Sequence, residues 1–251
     1  MRTGPAPRRC WPLLALLLAL PLLGGCATAK NHYDPLEPLN RSFYSMNEGA
    51  DKLVVLPATR AYRAATPDTF RILVSNFFSN IGYMNTVIND FLQGKGKQGM
   101  SDLGRFLVNS TIGFAGLGDP ATGLGLTKHH EDLGQTLAVW GVPQGAYLVY
   151  PLLGPSSVRD TFGIASTYAT NPLFWISLNA TAPEVTIPLS ILSVLNTRSN
   201  LMGASNMVSE LALDPYVFTR EAWRQNRQYE IYDGHPPQAS TDDFGTDPFG
   251  P

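Results

Sequence analysis

The sequence contains very little cysteine. Its 251 residues include two, Cys10 and Cys26, and both lie close to the N-terminus. If the chain is cleaved ahead of Cys26 and this thiol is acylated, the mature protein has no free thiol and no internal disulfide. Stability and function must then come from other residue types.

Charged residues are also scarce, at 15% of the sequence, and Lys and Arg form no basic cluster. The formal net charge is −2. Arg2, Arg8 and Arg9 fall within the first 25 residues, so a processed chain is more acidic. Nucleic-acid binding depends on a basic surface that neutralises phosphates, so nucleic acid is excluded as a partner.

Long hydrophobic runs are absent except at residues 13–23, just after these arginines. A membrane-spanning helix needs roughly 20 apolar residues, so the run is too short and is typical of a secretory signal peptide, predicted at residues 1–25. Leu23-Gly24-Gly25-Cys26 resembles the bacterial lipobox, in which small residues precede a cysteine that receives a diacylglycerol. The alternative is an ordinary signal peptide with an incidental cysteine.

Cys26 is therefore the predicted lipidation site. A single acyl chain gives only marginal membrane binding, whereas the several chains of a bacterial lipoprotein hold it firmly. In bacterial lipoproteins, an aspartate directly after the lipidated cysteine is typical of retention at the inner membrane. The residue at this position is Ala27. The sequence thus predicts a lipid-anchored protein on the periplasmic leaflet of the outer membrane.

Apolar residues recur at helical spacing after the anchor. Residues 38–54 carry an apolar stripe opposite charged residues, which predicts an amphipathic helix. Thr66-Pro67-Asp68 predicts a helix entry with Thr66 as N-cap. One or two helices are predicted between there and Gly94, with Gly82 as the candidate break.

A further helix is predicted after the glycine-rich stretch 94–99, with Ser101 as N-cap. Its apolar side lies opposite a polar but uncharged side. The apolar side consists of Leu103, Phe106, Leu107, Ile112 and Phe114. The polar side consists of Asn109, Ser110 and Thr111. Such a helix is typically half buried by its neighbours. Glycines over residues 113–125 predict an irregular loop.

The centre of the chain is almost free of charge, with only Arg159 and Asp160 between Asp132 and Glu184. Glycines and prolines divide it into pieces too short to span a membrane, and Trp and Tyr, which favour membrane interfaces, are plentiful. Two interpretations remain open. The segments form the core of a soluble protein, or they lie in one leaflet and shield their backbones against one another. The predicted lipid anchor favours the second.

Residues 184–232 return to a pattern typical of soluble helices, interrupted at Asp214-Pro215. From Gly234 onward nothing repeats at helical spacing, and residues 234–251 are a predicted disordered tail. The expected organisation is a single helical domain over residues 26–233.

Candidate catalytic groups are few. His129-His130-Glu131-Asp132 is the one cluster of ligand-type residues, but its spacing matches no zinc motif, and a solvated helix start is the competing interpretation. Neither a nucleophile elbow nor a phosphate loop is present. No pair of carboxylates can be identified as acid and base. We therefore expect no catalytic residue, no metal site and no cofactor.

Four stretches of this sequence resemble the MlaA/VacJ family of outer-membrane lipoproteins. They follow the family's order and cover most of the mature chain: YDPLEPLNRSFYSMN from Tyr33, DFLQGKGKQGMSDLGRFLVNSTIGFAGLGDPA from Asp90, EDLGQTLAVWGVPQGAYLVYPLLGPSSVRD from Glu131 and DPYVFTREAWRQNR from Asp214. The departures are small: Gly24 in the lipobox, and Leu133 where the family motif has phenylalanine.

The resemblance implies an all-α fold in which a ring-like array of amphipathic helices is seated in one membrane leaflet, with irregular Gly/Pro-rich connections. It implies passive removal of misplaced phospholipids from the outer leaflet through an amphipathic channel, which maintains lipid asymmetry. The phospholipids would pass to a periplasmic lipid-binding shuttle protein and then to an ATP-driven inner-membrane complex. A trimeric porin is the implied partner.

By analogy, the helix after Asp34 abuts the ring and influences access to the channel through Asn40, Phe43 and Asn47, with simple packing as the alternative for each. Further channel contacts are predicted on the polar side, at Arg105 and Asn109. Lipid contacts are predicted at four aromatic residues: Trp140, Tyr150, Phe174 and Trp175.

Two rival functions remain open. A lipoprotein hydrolase would cleave phospholipid or cell wall and would need a convergent catalytic group. A structural lipoprotein would only brace porins. Cleavage of labelled phospholipid distinguishes the first from passive transfer, and the distribution of phospholipid between leaflets distinguishes the second.

Overall fold

The computed structural model describes residues 34–178 and 182–237. Cys26, the predicted signal peptide and residues 238–251 of the predicted tail lie outside this range, and the domain boundaries remain predictions. The first half of the described chain is helical: α1 (Glu37–Ala50), a π-helical turn (Asp51–Val55), α2 (Leu56–Ala65), α3 (Asp68–Leu92), α4 (Gly96–Thr111) and α5 (Pro120–Gly123). The second half contains α6 (Leu133–Val139), strands β1 (Tyr147–Tyr150) and β2 (Gly154–Ser157), α7 (Thr161–Thr170), α8 (Pro172–Leu178), α9 (Pro183–Leu211) and α10 (Pro215–Ile231).

The all-α prediction is confirmed, but three local predictions were wrong. Thr66 does not cap α3, because its hydroxyl donates back to the Tyr62 carbonyl at the end of α2. Gly82 does not break α3, which continues without interruption to Leu92. Ser101 lies inside α4, because that helix begins five residues earlier, at Gly96.

A short antiparallel hairpin, which the sequence analysis did not predict, interrupts the helical fold. Tyr147 of β1 pairs with Ser157 of β2, and Tyr150 pairs with Gly154. Four-residue strands give too little alternation to separate a strand from a loop. An isolated hairpin is marginal in water, so this one depends on what packs against it.

The helices pack in a closed circuit. Helix α3 contacts α7, α7 contacts α8, α8 contacts α9, and α9 returns to α3, while α4 lies along α3. Helix α10 connects α9 with α6 and β2, and α1 packs on β1. This circuit is the structural counterpart of the predicted ring-like array.

The distribution of polarity is the reverse of that in an ordinary soluble protein. Within the described residues, 24 polar or charged residues are buried, against 8 hydrophobic ones. The small apolar core consists of Tyr147, Val149 and Tyr216, with Phe43 and Trp223 packed on it. Large apolar side chains point outward instead, among them Leu53, Ile112 and Phe114.

Two helices illustrate this reversal. In α4 the buried residues are polar or glycine, including Asp102, Arg105 and Asn109, while Leu107 is half exposed. The polar side is therefore the buried side. In α9 the apolar positions expected of a soluble helix face outward: Val185, Ile187, Ile191, Val194 and Leu201. The prediction that residues 184–211 form a helix typical of soluble proteins was therefore wrong. Over the described part of the chain, no helix combines the length and apolar character needed to cross a bilayer.

Candidate functional site

An apolar cavity of about 510 Å³ lies between the end of α1, the π-helical turn, the hairpin and α9. Its apolar lining comes from all of these elements: Ala50, Val55, Val149, Leu153, Val194 and Leu201. This volume falls within the range of small-molecule sites. The cavity is partly open to the surroundings and gives an apolar group a place to leave water.

One ion pair lies at the wall of this cavity. Both nitrogens of the Arg198 fork contact Asp51, with Nε–Oδ1 at 2.7 Å and Nη2–Oδ2 at 2.9 Å. The pair joins the π-helical turn to α9 across the cavity. The Asp51 hydrogen bond raises the pKa of Arg198 by more than burial lowers it, so this arginine stays charged. The cavity is thus apolar with one charged, fixed edge.

Helix α1 docks on the hairpin through two asparagines seven residues apart, which share one helix face. The buried Asn40 amide donates to the Tyr147 carbonyl at 3.0 Å, and its oxygen accepts from the Val149 N–H at 2.9 Å. Asn47 makes the same kind of bridge to the Tyr150 carbonyl at 2.9 Å and the Leu152 N–H at 2.8 Å. The two side chains satisfy the open edge of β1, which would otherwise expose unpaired backbone groups.

The same face of α1 carries a second set of contacts. Phe43 lies between the two asparagines in sequence and packs against the apolar core. Asn40 also donates to Asp34 at 2.8 Å, and Asp34 accepts from the Tyr216 hydroxyl and from Arg220. The structure thus brings the three predicted residues of this helix together against the hairpin that borders the cavity.

A polar groove of about 490 Å³ lies on another side of α9, between that helix and α3. Its walls include Arg63, Arg71, Ser75, Asn76, Ser199 and Asn200. Ser75 bonds Asn196 across the two helices, with Asn196 Nδ2 donating to Oγ at 2.9 Å. Asn76 also lines a smaller polar pocket between α3 and α4, so the two polar spaces share a wall.

Arg105 and Asn109 of α4 line this smaller pocket. Arg105 is buried and pairs with Asp119, which also accepts from the Asn109 amide at 3.1 Å. Burial by itself raises the pKa of Asp119, but bonds from Thr122 and Asn109 and the Arg105 charge outweigh it and lower that pKa. Both predicted residues therefore lie in the polar interior, fixed by a common carboxylate.

Lys128 adds a cation to the same pocket. Desolvation, followed by the nearby Arg105 charge, lowers the pKa of its amine. The pocket therefore presents two positive groups, one fixed in an ion pair and one at its edge.

The segment His129-His130-Glu131-Asp132 is not a solvated helix start, so that interpretation was wrong. Glu131 and Asp132 are buried, and His129 Nδ1 lies 2.9 Å from Asp102. Asp132 does begin α6, accepting from the Gln135 N–H at 3.0 Å. The physical reason for the difference is tertiary: α3, α4 and α10 cover the segment and supply its partners.

Arg227 of α10 holds the starts of α6 and α7 from the other side. Its guanidinium donates to Asp132 at 2.7 and 2.8 Å and to Asp160 at 2.9 and 3.0 Å. Burial by itself raises the pKa of Asp132, but the bonds from Arg227 outweigh it and lower that pKa. Gly134 leaves the necessary space, because a Cβ there would lie 2.5 Å from Arg227 Nη2. One arginine therefore holds three segments of the chain.

The predicted lipid-contact aromatics lie on the periphery. Trp140 and Trp175 are about half exposed, and each indole N–H donates to a backbone carbonyl, of Leu92 and Ala169 respectively. Phe174 packs between Trp175 and Tyr168. Tyr150 differs from the others, because its hydroxyl bonds Thr161 and its ring is half buried.

Several residues of the polar interior were not singled out from the sequence. They are Asp34, Asn76, Lys128, Arg198, Arg220 and Arg227. Arg198 within the otherwise apolar α9 was an available signal, but the sequence does not pair it with Asp51. Within the described residues, no group of three or more His, Cys, Asp or Glu is arranged to hold a metal ion.

Comparison with known proteins agrees with this geometry. The MlaA lipoprotein family matches residues 32–230. The intermembrane phospholipid transport system lipoprotein MlaA of Escherichia coli strain K12 is 32% identical over 230 residues, covering 86% of this chain and 87% of the relative. An uncharacterized protein of Rickettsia bellii is 33% identical over 210 residues, covering 83% of this chain and 80% of that protein.

A solved structure is also similar. It was reported under "Structural basis for maintenance of bacterial outer membrane lipid asymmetry" and superposes with a TM-score of 0.66 at 27% identity. The match covers 79% of this chain and 98% of the other. The helical circuit, the buried polar interior and the sequence matches lead to one conclusion: this chain belongs to the MlaA lipoprotein family.

Proposed function

We propose that this protein moves phospholipids out of the outer membrane and thereby maintains its lipid asymmetry. The observation that carries the proposal is the reversed polarity, with polar groups buried inside a circuit of helices and large apolar side chains on the outside. An apolar exterior gains roughly 25 cal/mol per Å² when lipid tails replace water. A polar interior supplies the partners that a headgroup needs when it leaves water. The Escherichia coli relative named above as a transport lipoprotein supports this proposal.

The two cavities suit the two parts of a phospholipid. The polar groove between α3 and α9 offers amides, hydroxyls and arginines to a phosphate-bearing headgroup. The apolar cavity beside the hairpin offers aliphatic side chains to an acyl chain. Transfer is passive in this proposal, and no bond is made or broken.

The location and the partners belong to the same proposal. Cys26 carries the lipid that holds the protein on the periplasmic leaflet of the outer membrane. A periplasmic lipid-binding shuttle protein receives the phospholipid, since a passive conduit only equilibrates lipid between the spaces that it connects. A trimeric porin is the membrane neighbour. The family membership and the apolar exterior support these assignments.

Blocking the polar groove is expected to stop transfer. Asn76 lies where the two polar spaces meet, so Asn76→Trp fills the groove with a large ring. Transfer of radiolabelled phospholipid from vesicles that contain the mature lipoprotein to acceptor vesicles should fall by more than about tenfold, a rise of about 1.4 kcal/mol in the barrier. Thr69→Trp is the matched control, because Thr69 is exposed on the same helix.

The same assay separates the rival functions. Cleaved label would show a hydrolase, and equal transfer by Asn76→Trp and Thr69→Trp would show that the groove is not the path. In cells lacking the protein, an unchanged content of outer-leaflet phospholipid, measured with external phospholipase, would favour a structural role beside porins.

Immersion in lipid predicts different environments for the three tryptophans of the mature chain. Trp140 and Trp175 are exposed among apolar neighbours, whereas Trp223 packs on the apolar core. In single-tryptophan variants placed in vesicles with brominated acyl chains, emission from Trp140 and Trp175 should be strongly quenched and that from Trp223 much less. Equal quenching of all three, or quenching of none, would contradict immersion of this outer surface.

A further inference from the structure

Two carboxyl groups lie against each other in the interior, outside the cavities described above. Asp90 near the end of α3 and Asp102 in α4 are both fully buried, and their side chains are within hydrogen-bonding contact. Gly99 lets the helices approach so closely, because a Cβ there would lie 3.1 Å from the Asp90 Cβ. Two carboxylates in such contact repel strongly when both are ionised.

The partners of the pair are distributed unequally. Asp102 accepts from the Tyr83 hydroxyl at 2.7 Å and faces His129 Nδ1 at 2.9 Å. Asp90 Oδ1 accepts from the Gln98 amide at 2.8 Å. The buried Asp90 Oδ2 has no donor among the other described side chains. In this pair, Asp90 Oδ2 is therefore the oxygen on which a proton would be most stable.

The surrounding charges do not neutralise Asp90. Glu131 is a third buried carboxylate, and Lys95 pairs with it at 2.9 Å while also contacting Asp233. Arg105, one turn beyond Asp102, pairs with Asp119. Helices α6, α7 and α9, which also pack against α3, contribute no titratable residue to this cluster. The cluster therefore holds more acidic groups than nearby bases.

We propose that Asp90 and Asp102 hold one proton between them and that this proton latches α4 onto α3. In the closed state, the protonated Asp90 donates its O–H to an ionised Asp102. Loss of the proton to solvent leaves two adjacent carboxylates, which push the two helices apart. Burial, followed by contact with Asp102, raises the pKa of Asp90 to about 8, which agrees with a proton retained at neutral pH.

The latch has a direct connection to the polar interior. Arg105 and Asn109 follow Asp102 on the same helix and line the polar pocket. His129 and Glu131, which also contact the cluster, continue into Asp132 and the Arg227 contacts. Release of the proton therefore moves groups that line the smaller polar pocket between α3 and α4. The consequence for lipid transfer rests on the proposed function, whereas the shared proton itself does not.

The sign of the pH dependence follows from proton binding. Between the ordinary pKa of an aspartate and about pH 8, the folded protein binds one proton more than the unfolded chain. The unfolding equilibrium constant should therefore rise by about tenfold per pH unit in that window and level off above it. This is opposite to the usual aspartate, which loses stability as the pH falls.

The experiment compares the mature lipoprotein in mild detergent with Asp90→Asn, whose amide can still donate to Asp102. Infrared spectroscopy at neutral pH should show a protonated carboxyl band in the parent protein that disappears in Asp90→Asn. The variant should also lose the rise in unfolding constant between pH 5 and about pH 8. Glu184→Gln, a change at an exposed glutamate, should retain both signals.

A second variant keeps the test decisive if Asp90→Asn does not fold. Asp102→Asn removes the neighbouring charge. As the pH is raised, the carboxyl band of Asp90 should therefore disappear at a lower pH than in the parent. Absence of a protonated carboxyl in the parent, or an unchanged pH slope in Asp90→Asn, would overturn the latch. So would stabilisation of the parent by Ca²⁺ or Mg²⁺ that Asp90→Asn abolishes, because a cation would then occupy the pair. These readouts do not depend on lipid transfer.

Discussion

Replacing Arg227 with methionine is expected to destabilise the protein by about 3–5 kcal/mol, the usual cost of removing one partner from a buried ion pair. Arg227 is buried, and Asp132 and Asp160 are buried beside it. Asp132 would lose both of its guanidinium bonds and keep only its cap to Gln135. The large effect follows because a carboxylate would be left in the interior without a counter-charge.

Chemical unfolding of the mature lipoprotein in mild detergent, followed by circular dichroism, measures this change. Arg60→Met is the matched control, since Arg60 is exposed on α2, and its effect should stay within about 0.5 kcal/mol. Adding Asp132→Asn to Arg227→Met should recover part of the loss, because asparagine is neutral and still caps α6. If Arg227→Met and Arg60→Met unfold alike, the Arg227 contacts do not stabilise the junction of α10 with α6 and α7.

The second large effect is expected at Asn40. Asn40→Ala removes bonds to three buried groups, the Asp34 carboxylate, the Tyr147 carbonyl and the Val149 N–H. Each buried group left without a partner costs about 1–3 kcal/mol, and Asp34 keeps its other donors. Two groups remain unsatisfied, so the total loss should be about 2–6 kcal/mol. The hairpin beside the apolar cavity should loosen as a result.

Hydrogen exchange measures this loosening at the backbone amide of Val149, which should exchange faster in Asn40→Ala than in the parent. Ser42→Ala is the control on the same helix, because Ser42 is exposed and bonds only to the Pro38 carbonyl of its own helix. Asn47→Ala should have a smaller effect, since it bridges the more exposed end of the hairpin. An Asn40→Ala variant as stable as Ser42→Ala would show that α1 does not support the hairpin.

The two predictions concern different parts of the architecture. Arg227 joins α6 and α7 to α10, whereas Asn40 joins α1 to β1. Their effects should therefore be nearly additive, because the two sites share no hydrogen-bond partner. In both places a polar side chain performs the role that apolar packing has in most soluble proteins.

Much of the helical plan was predictable from the sequence. Spacing of three and four residues located α1, α3, α4, α9 and α10, and Asp214-Pro215 marked the start of the last helix correctly. Helix ends were less predictable, as Thr66 and Ser101 show, because a hydroxyl can bond within its own helix as well as cap the next one. The four-residue strands carried no usable pattern.

The candidate site was predictable only in part. The resemblance to the family directed attention to Asn40, Phe43 and Asn47, and the structure places all three against the hairpin. The pairing of Arg227 with Asp132 was not predictable, because these residues lie 95 positions apart and nothing local connects them. The contact between Asp90 and Asp102 likewise depends on two helices meeting at Gly99.

The sequence by itself determined where the helices lie, how little charge the centre of the chain carries, and that Cys26 is the predicted anchor. Only the tertiary structure decided which side of each helix is buried. Helical periodicity separates apolar from polar residues but does not say which side faces the surroundings. Here the polar sides of α3 and α4 meet and satisfy one another, so the apolar sides are left outside, where lipid rather than water is the favourable medium.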